Sequence, residues 1–335
     1  MMDWELFRQI LEIDSTSGKE REMALWLHEH LEAPAKELME VGDGTLNLLL
    51  SWGTPRVVFC THMDTVPPYI APSFPEELPF GGSVVSGRGA CDAKGQIFAM
   101  YTACKELEAK GFTDFGLLLL AGEETGSWGA KAFAKTDFRA PFLIVGEPTE
   151  NKMVSASKGT KSYDLTFRGQ AFHSGYPQYG VSAIELFNDF YNKLKAKDFG
   201  ADPELGETTW NIGLLRSDNP QNILSPELSC RLYFRTTFVS DQVVQDWMAQ
   251  QCEQLTVIPR GGDTPARYVT LPGFESAPVA FGSDAPHLSN FGHKIICGPG
   301  SIRYAHRPNE HILVRDLETA VEQYIRMYHA LVHAL

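Results

Sequence analysis

Four groups of acids and histidines in this chain follow short apolar runs almost at once. Val57-Val58-Phe59-Cys60 leads into Thr61-His62-Met63-Asp64, and the run Leu117 to Ala121 leads into Gly122-Glu123-Glu124-Thr125-Gly126. Leu143-Ile144-Val145 leads into Gly146-Glu147-Pro148-Thr149, and Ile295-Ile296-Cys297 into Gly298-Pro299-Gly300, with His306 shortly after. Asp92 lies in a further, glycine-rich segment. Imidazole nitrogens and carboxylate oxygens brought together form a mixed donor set suited to zinc or a similar divalent ion. Singly, each group has a plainer explanation. His62 with Asp64 reads as a strand-end turn, Glu123 with Glu124 as acids at a helix N-terminus, Glu147 and Asp92 as turn residues, and His306 as an ordinary packed or surface histidine. These explanations are independent of one another, so their holding jointly is improbable.

Convergence needs a scaffold. The apolar runs Leu46–Leu50, Val57–Cys60, Leu117–Ala121, Phe142–Val145 and Ile295–Cys297 have the length of buried strands. Between them lie helical patterns: Ile97, Met100, Tyr101, Cys104 and Leu107 share one face over Gly95–Leu107, and Leu317, Val321, Tyr324, Ile325, Tyr328 and Leu331 do so near the C-terminus. A capping-box pair, Ser17 and Glu20, predicts a further helix from Gly18 to Leu31. Alternation of strand and helix predicts an α/β fold with a mainly parallel sheet, whose strand carboxyl ends open onto one crevice.

The rhythm changes between about Thr160 and Pro265. Tyr163, Leu165 and Phe167 alternate, as do Trp210, Ile212 and Leu214, and Leu228, Cys230, Leu232 and Phe234. Helical stretches run from Ala183 to Leu194 and from Val243 to Met248. This order is that of a β-α-β-β-α-β, ferredoxin-like α+β insert. The expected organisation is a split catalytic domain, residues 1–159 and 266–335, around a lid and dimerisation domain, 160–265, with the sheet resuming near Pro278.

The formal net charge is −13, which argues against nucleic acid and anionic membranes as partners. Six cysteines (60, 91, 104, 230, 252 and 297) show no C-x-x-C spacing, as in a reducing compartment. The start Met1-Met2-Asp3-Trp4-Glu5 lacks the basic beginning of a secretory signal, and no run approaches 18 apolar residues, so a cytoplasmic protein is expected. Glycines 81, 82, 87 and 89 form neither a Walker loop nor a G-x-G-x-x-G turn and read as turn-forming.

Five strings, Thr61-His62-Met63-Asp64-Thr65-Val66-Pro67, Gly87-Arg88-Gly89-Ala90-Cys91-Asp92-Ala93-Lys94-Gly95, Gly122-Glu123-Glu124-Thr125-Gly126-Ser127, Gly146-Glu147-Pro148-Thr149 and Ala305-His306-Arg307-Pro308, occur in this order. The ordered set resembles the dinuclear zinc amidohydrolases and peptidases, which include acetylornithine deacetylase, succinyl-diaminopimelate desuccinylase, aminoacylase and glutamate carboxypeptidase. The resemblance implies that His62 and Glu147 bind one ion, Glu124 and His306 a second, and that Asp92 bridges both. It implies that Asp64 orients His62 and that Glu123 is the general base, with zinc the expected metal and cobalt or manganese as alternatives. In the insert, Phe172-His173-Ser174-Gly175 is similar to a lid segment whose histidine stabilises the oxyanion, often across a homodimer. Asn222 and Arg235 match substrate-contacting positions, although Ser225 and Tyr233 stand where the family usually has a proline and an acid.

The expected activity is metal-dependent hydrolysis of the amide bond of a small N-acyl amino acid. A dipeptidase or aminopeptidase using the same site is the alternative. A metal-containing binding protein without turnover is a third reading, opposed by the presence of Glu123 beside a full ligand set.

Overall fold

The computed structural model describes residues 2–42, 44–75, 83–251 and 255–333. Cys252 and the glycines at 81 and 82 lie outside the described residues. The chain divides into two compact units, residues 1–155, 268–277 and 283–335 in the first and 156–267 and 278–282 in the second.

The first unit begins with helices α1 (Trp4–Glu12) and α2 (Glu20–His30), followed by strands β1 (Ala35–Glu40), β2 (Leu46–Gly53), β3 (Val57–His62) and β4 (Val84–Ser86). Helix α3 (Lys94–Ala109), β5 (Asp114–Leu120), α4 (Trp128–Phe133) and β6 (Ala140–Val145) come next. Strand β7 (Met153–Ser157) leads to the second unit, which holds β8 (Gly159–Arg168), α5 (Ala183–Ala196), the short β9 (Ala201–Asp202) and β10 (Gly206–Glu207), β11 (Thr209–Arg216), β12 (Glu227–Thr236), α6 (Asp241–Ala249), β13 (Leu255–Gly261) and β14 (Ala266–Arg267). The chain ends with β15 (Ser276–Val279), β16 (Phe291–Ile296), β17 (His311–Leu313) and α7 (Val314–His333).

Six strands build the first unit's sheet in the order β1-β2-β5-β3-β6-β16. Strands β5, β3, β6 and β16 run parallel, while β2 is antiparallel to both β5 and β1. The sheet is therefore parallel where the crevice forms and antiparallel along one edge, where the chain turns straight back from β1 into β2. Every residue of β3 is buried, as its continuous Val-Val-Phe-Cys run requires of a strand covered on both faces. Phe59 of β3, Leu117 of β5 and Ile144 of β6 join one core with residues of α1, α2, α3 and α7.

The second unit carries a four-stranded antiparallel sheet in the order β11-β12-β8-β13, with α5 and α6 supplying apolar faces to its core. This is the strand order of a β-α-β-β-α-β fold.

Four expectations change. Helix α2 starts at Glu20 behind Lys19, which makes no side-chain cap, because the Ser17 hydroxyl donates instead to Asp64 Oδ2 at 2.9 Å. Helix α3 is buried on all sides from Lys94 to Cys104 rather than along one stripe, since it packs against both the sheet and α7. Leu214 does not continue the half-buried alternation of β11: a register shift at Gly213/Arg216 and a φ of 52° leave it 62% exposed. Pro278 belongs to β15, outside the six-stranded sheet, which resumes only at Phe291.

Candidate active site

Parallel pairing puts the carboxyl ends of β5, β3, β6 and β16 along one edge of the sheet. His62 is the last residue of β3, Glu123 and Glu124 follow β5, Glu147 follows β6, and the loop bearing His306 follows β16. Asp92 arrives from the glycine-rich loop before α3, in which Gly87 and Gly89 take φ values of 140° and 87°. At Gly89 a Cβ would come within 2.9 Å of the buried Lys94 side chain, so the loop needs glycine for space as well as for conformation.

The side chains converge around Asp92. Its Oδ1 lies 3.1 Å from His62 Nε2 and its Oδ2 lies 3.3 Å from His306 Nε2. His306 Nε2 also meets Glu124 Oε1 at 2.8 Å. Donor atoms of His62, Asp92 and Glu124 all fall within 4.8 Å of one another. One carboxylate thus faces two imidazoles, one through each oxygen, which is the arrangement a bridging ligand needs. Glu147 is buried, and its Oε1 has no hydrogen-bond partner.

Asp64 is fully buried and acts on both sides of this cluster. His62 Nδ1 contacts the Asp64 main-chain oxygen at 2.9 Å and its carboxylate at 3.6 Å. The carboxylate accepts the Glu123 amide at 2.9 Å, the Glu124 amide at 3.2 Å and the Ser17 hydroxyl at 2.9 Å. Orientation of His62 therefore comes chiefly from the Asp64 carbonyl, while the Asp64 side chain fixes the two-glutamate turn.

Electrostatics reflect crowding of like charge. Burial pushes the Glu123 and Glu147 carboxyls well up, and neighbouring carboxylates, Asp284 among them, push the same way. Burial also raises Asp284, to about 6. The histidines rise as well, which for an imidazole favours the charged form. His306 rises to about 10 through its hydrogen bonds to Asp92 and Glu124, and His62 rises despite burial because Asp64 and Asp92 hold its protonated form. Asp92 is held low, against its burial, by His306 and His62. Both shifts favour positive charge on the imidazoles amid this acid-rich cluster. A pair of divalent cations fits the same donor set and would give the orphaned Glu147 oxygen a partner.

Residues that the motifs did not mark also belong here. Asp284 is buried with an unpartnered Oδ1. Ser17 reaches Asp64, and Glu310 grips the Asp92 loop. Long-range hydrogen bonds reveal Ser17 and Glu310, and burial reveals Asp284.

Of the second-unit residues, His173 and Asn222 come together: the Ser174 amide donates to the Asn222 carbonyl at 2.9 Å, and His173 bridges Ile223. His173 is exposed, and its Nδ1 accepts the Gly175 amide at 3.1 Å. Arg235 lies apart from them, near the far end of β12, with its guanidinium over the Tyr233 ring at 5.1 Å. The eight residue steps of strand from Glu227 to Arg235 span roughly 26 Å at about 3.3 Å per residue.

Residues 58–330 match the family model described as Peptidase family M20/M25/M40. The chain belongs to this family. An M20 domain-containing protein of Schizosaccharomyces pombe is 34% identical over 340 residues, covering 96% of this chain and 83% of that one. A probable carboxypeptidase of Aspergillus niger is 30% identical over 368 residues, covering 97% and 88%. Among solved structures, a tripeptidase from Staphylococcus aureus matches with a TM-score of 0.78 at 18% identity, covering 98% of each chain. This M20 chain is thus a metal-dependent hydrolase of the metallopeptidase class. No helix among its described residues is long and apolar enough to cross a membrane.

Proposed function

We propose that this M20 peptidase hydrolyses the peptide bond of short peptides, dipeptides and tripeptides in particular, at a site built for two divalent ions. The observation that carries the reading is Asp92, with one oxygen directed to His62 and the other to His306. His62 and Glu147 would hold one ion, Glu124 and His306 the other, and Asp92 both. Zinc suits the nitrogen and oxygen donors, with cobalt or manganese as substitutes. Bound there, the ions acidify and orient a water molecule and polarise the scissile carbonyl.

The remaining work falls to the chain. Glu123 stands beside the ligands, its amide held by Asp64, and takes the proton of the attacking water before passing it to the leaving amine. Its raised proton affinity suits a carboxylate that must carry a proton near neutrality. His173 carries its proton on Nε2, because Nδ1 accepts the Gly175 amide, and Nε2 is thereby a donor for the oxyanion. Arg235 pairs with a substrate carboxylate.

His173 bridges Ile223, ahead of the Glu227 end of β12, whereas Arg235 lies toward the other end of that strand. A small substrate contacting both groups would then draw them from two copies of the chain. This supports a homodimer through the second unit, where β11 is an edge strand and Tyr176, Tyr179, Leu214 and Leu215 are exposed. Among the described residues, five buried cysteines without disulfides support a reducing, cytoplasmic setting.

Peptides are preferred as substrates because similar proteins are named carboxypeptidase and tripeptidase. Hydrolysis of N-acyl amino acids is the second reading, favoured by Gly146-Glu147-Pro148-Thr149. A panel of dipeptides, tripeptides and acetylated and succinylated amino acids, assayed with zinc, cobalt and manganese, separates them. Turnover of peptides is expected. Turnover confined to acyl amino acids would select the second reading, and tight binding without turnover would remove both.

A further inference from the structure

The Asp92 loop and the His306 loop are distant in sequence, and the bridging geometry requires a joint between them. Glu310 provides it. Its side chain is fully buried, and Oε1 accepts three backbone amides of the Asp92 loop: Gly89 at 2.9 Å, Cys91 at 3.1 Å and Asp92 itself at 3.1 Å. Oε2 accepts Arg88 Nη1 at 2.5 Å, and the Glu310 carbonyl accepts the Gly87 amide at 3.0 Å. Arg88 extends the joint, with Nε donating to the Pro68 carbonyl at 3.1 Å and Nη1 lying 3.4 Å from the Arg307 carbonyl, next to His306.

The chemistry requires a carboxylate. Converging amide hydrogens form a nest for negative charge, and the opposite oxygen faces a guanidinium. A glutamine could serve the nest, but its NH₂ would then face Arg88, donor against donor. An aspartate keeps the charge but is one methylene too short to reach both partners.

The two ion sites depend on this joint unequally. His62 ends a buried strand and Glu147 follows another, so the sheet places them. His306 lies outside any strand or helix, with φ at 63° and a side chain 48% exposed. We propose that Glu310, through Arg88 and the Gly89–Asp92 amides, is the positioning residue that holds Asp92 in register with His306, and so creates the second ion site. The inference rests on the two-ion reading above.

The test uses the full-length chain freed of metal and titrated with cobalt(II), followed by calorimetry and visible absorption. Wild type should bind two equivalents; a single equivalent in wild type defeats the two-ion reading itself. Glu310→Asp keeps both charges next to each other while withdrawing the carboxylate from one set of its partners. Arg88→Met with Glu310→Gln removes both charges together, so neither variant leaves a lone buried ion. In whichever variant folds with a native circular dichroism spectrum, the first equivalent should bind within threefold of wild type. The second should weaken at least tenfold, with altered cobalt absorption and kcat falling more than KM changes. Wild-type affinity for both ions, or equal weakening of both, overturns the inference. Misfolding of both variants also overturns it, since Glu310 would then be structural.

Discussion

The Asp64 carboxylate accepts the Glu123 amide at 2.9 Å and, through its other oxygen, the Glu124 amide at 3.2 Å. One buried side chain thus sets the direction of two adjacent glutamates to which the proposed function gives different tasks, the first a proton carrier and the second a ligand. Replacing Asp64 by Asn turns one acceptor into a donor facing an amide N–H. Leaving such a group unsatisfied costs about 1–3 kcal/mol. Asp64→Asn is expected to lower Tm by several degrees and to reduce kcat, with KM changing less. Unchanged Tm and kcat would show that the turn is held by something else.

Glu123→Gln and Glu124→Gln should separate the two tasks. The first is expected to retain both metal equivalents and lose roughly 10²–10⁴-fold in kcat, the contribution of a general acid–base group. The second removes a charged donor 2.8 Å from His306 Nε2, so metal content should fall together with rate. Metal analysis alongside steady-state kinetics gives both quantities, and the reverse pattern would exchange the roles.

The positions of these residues were legible because parallel strands end on one edge and each motif follows a strand. What escaped were residues whose roles depend on distant backbone. Ser17 and Glu20 have capping-box spacing, but the Asp64 carboxylate competes for the Ser17 hydroxyl, and tertiary contact decides. Glu310 lies in Arg307-Pro308-Asn309-Glu310, and nothing there indicates that its carboxylate meets the Gly89, Cys91 and Asp92 amides. Strand β1 reads Ala-Lys-Glu-Leu-Met-Glu, a composition of helix formers, yet pairing with β2 from Ala35↔Ser51 to Glu40↔Leu46 makes it extended. The same short return makes that edge of the sheet antiparallel.

Metal binding should release protons. In the folded chain His306 is raised from about 6.5 to about 10 and His62 is raised as well, so both imidazoles hold their protons more tightly without metal. An ion must displace those protons to reach nitrogen. Calorimetric titration at pH 7 in buffers of differing ionisation enthalpy should give a buffer-dependent heat, and affinity should climb with pH from 6 to 8. A heat independent of buffer would mean that the imidazoles are already neutral.

The same shifts give a sign for stability. A histidine whose folded value exceeds its unfolded value stabilises fully below about 6.5, and that contribution disappears as pH rises through the folded value, about 10 for His306. The raised carboxyls of Glu123 and Glu147 act in the same direction, because the fold penalises their ionised forms once the pH exceeds their unfolded values. Metal-free protein should therefore lose Tm between pH 6.5 and 9, while metal-loaded protein stays nearly level, the cations replacing the protons. Parallel curves with and without metal would count against this balance of charge.

Sharing of the site between two chains can be tested by complementation. His173→Ala should lower kcat while metal content stays near wild type, because its Nε2 meets charge that develops only after water attacks. Glu123→Gln disables the other half of the chemistry in its own chain. If His173 serves its partner, a heterodimer of the two variants has one site lacking both groups and one site with both, so mixing should restore activity toward half that of wild type per dimer formed. If His173 serves its own chain, each site in the heterodimer lacks one group and mixing restores nothing. Subunit exchange must be demonstrated separately, with two different affinity tags carried through sequential purification. Placement of His173 off the Glu227 end of β12 and of Arg235 toward its other end favours the first outcome. Adding Arg235→Ala to the Glu123→Gln chain sharpens the test. In the shared arrangement the competent site takes Arg235 from the chain that carries the intact Glu123, so restored activity should persist, whereas Arg235→Ala in the His173→Ala chain should abolish it.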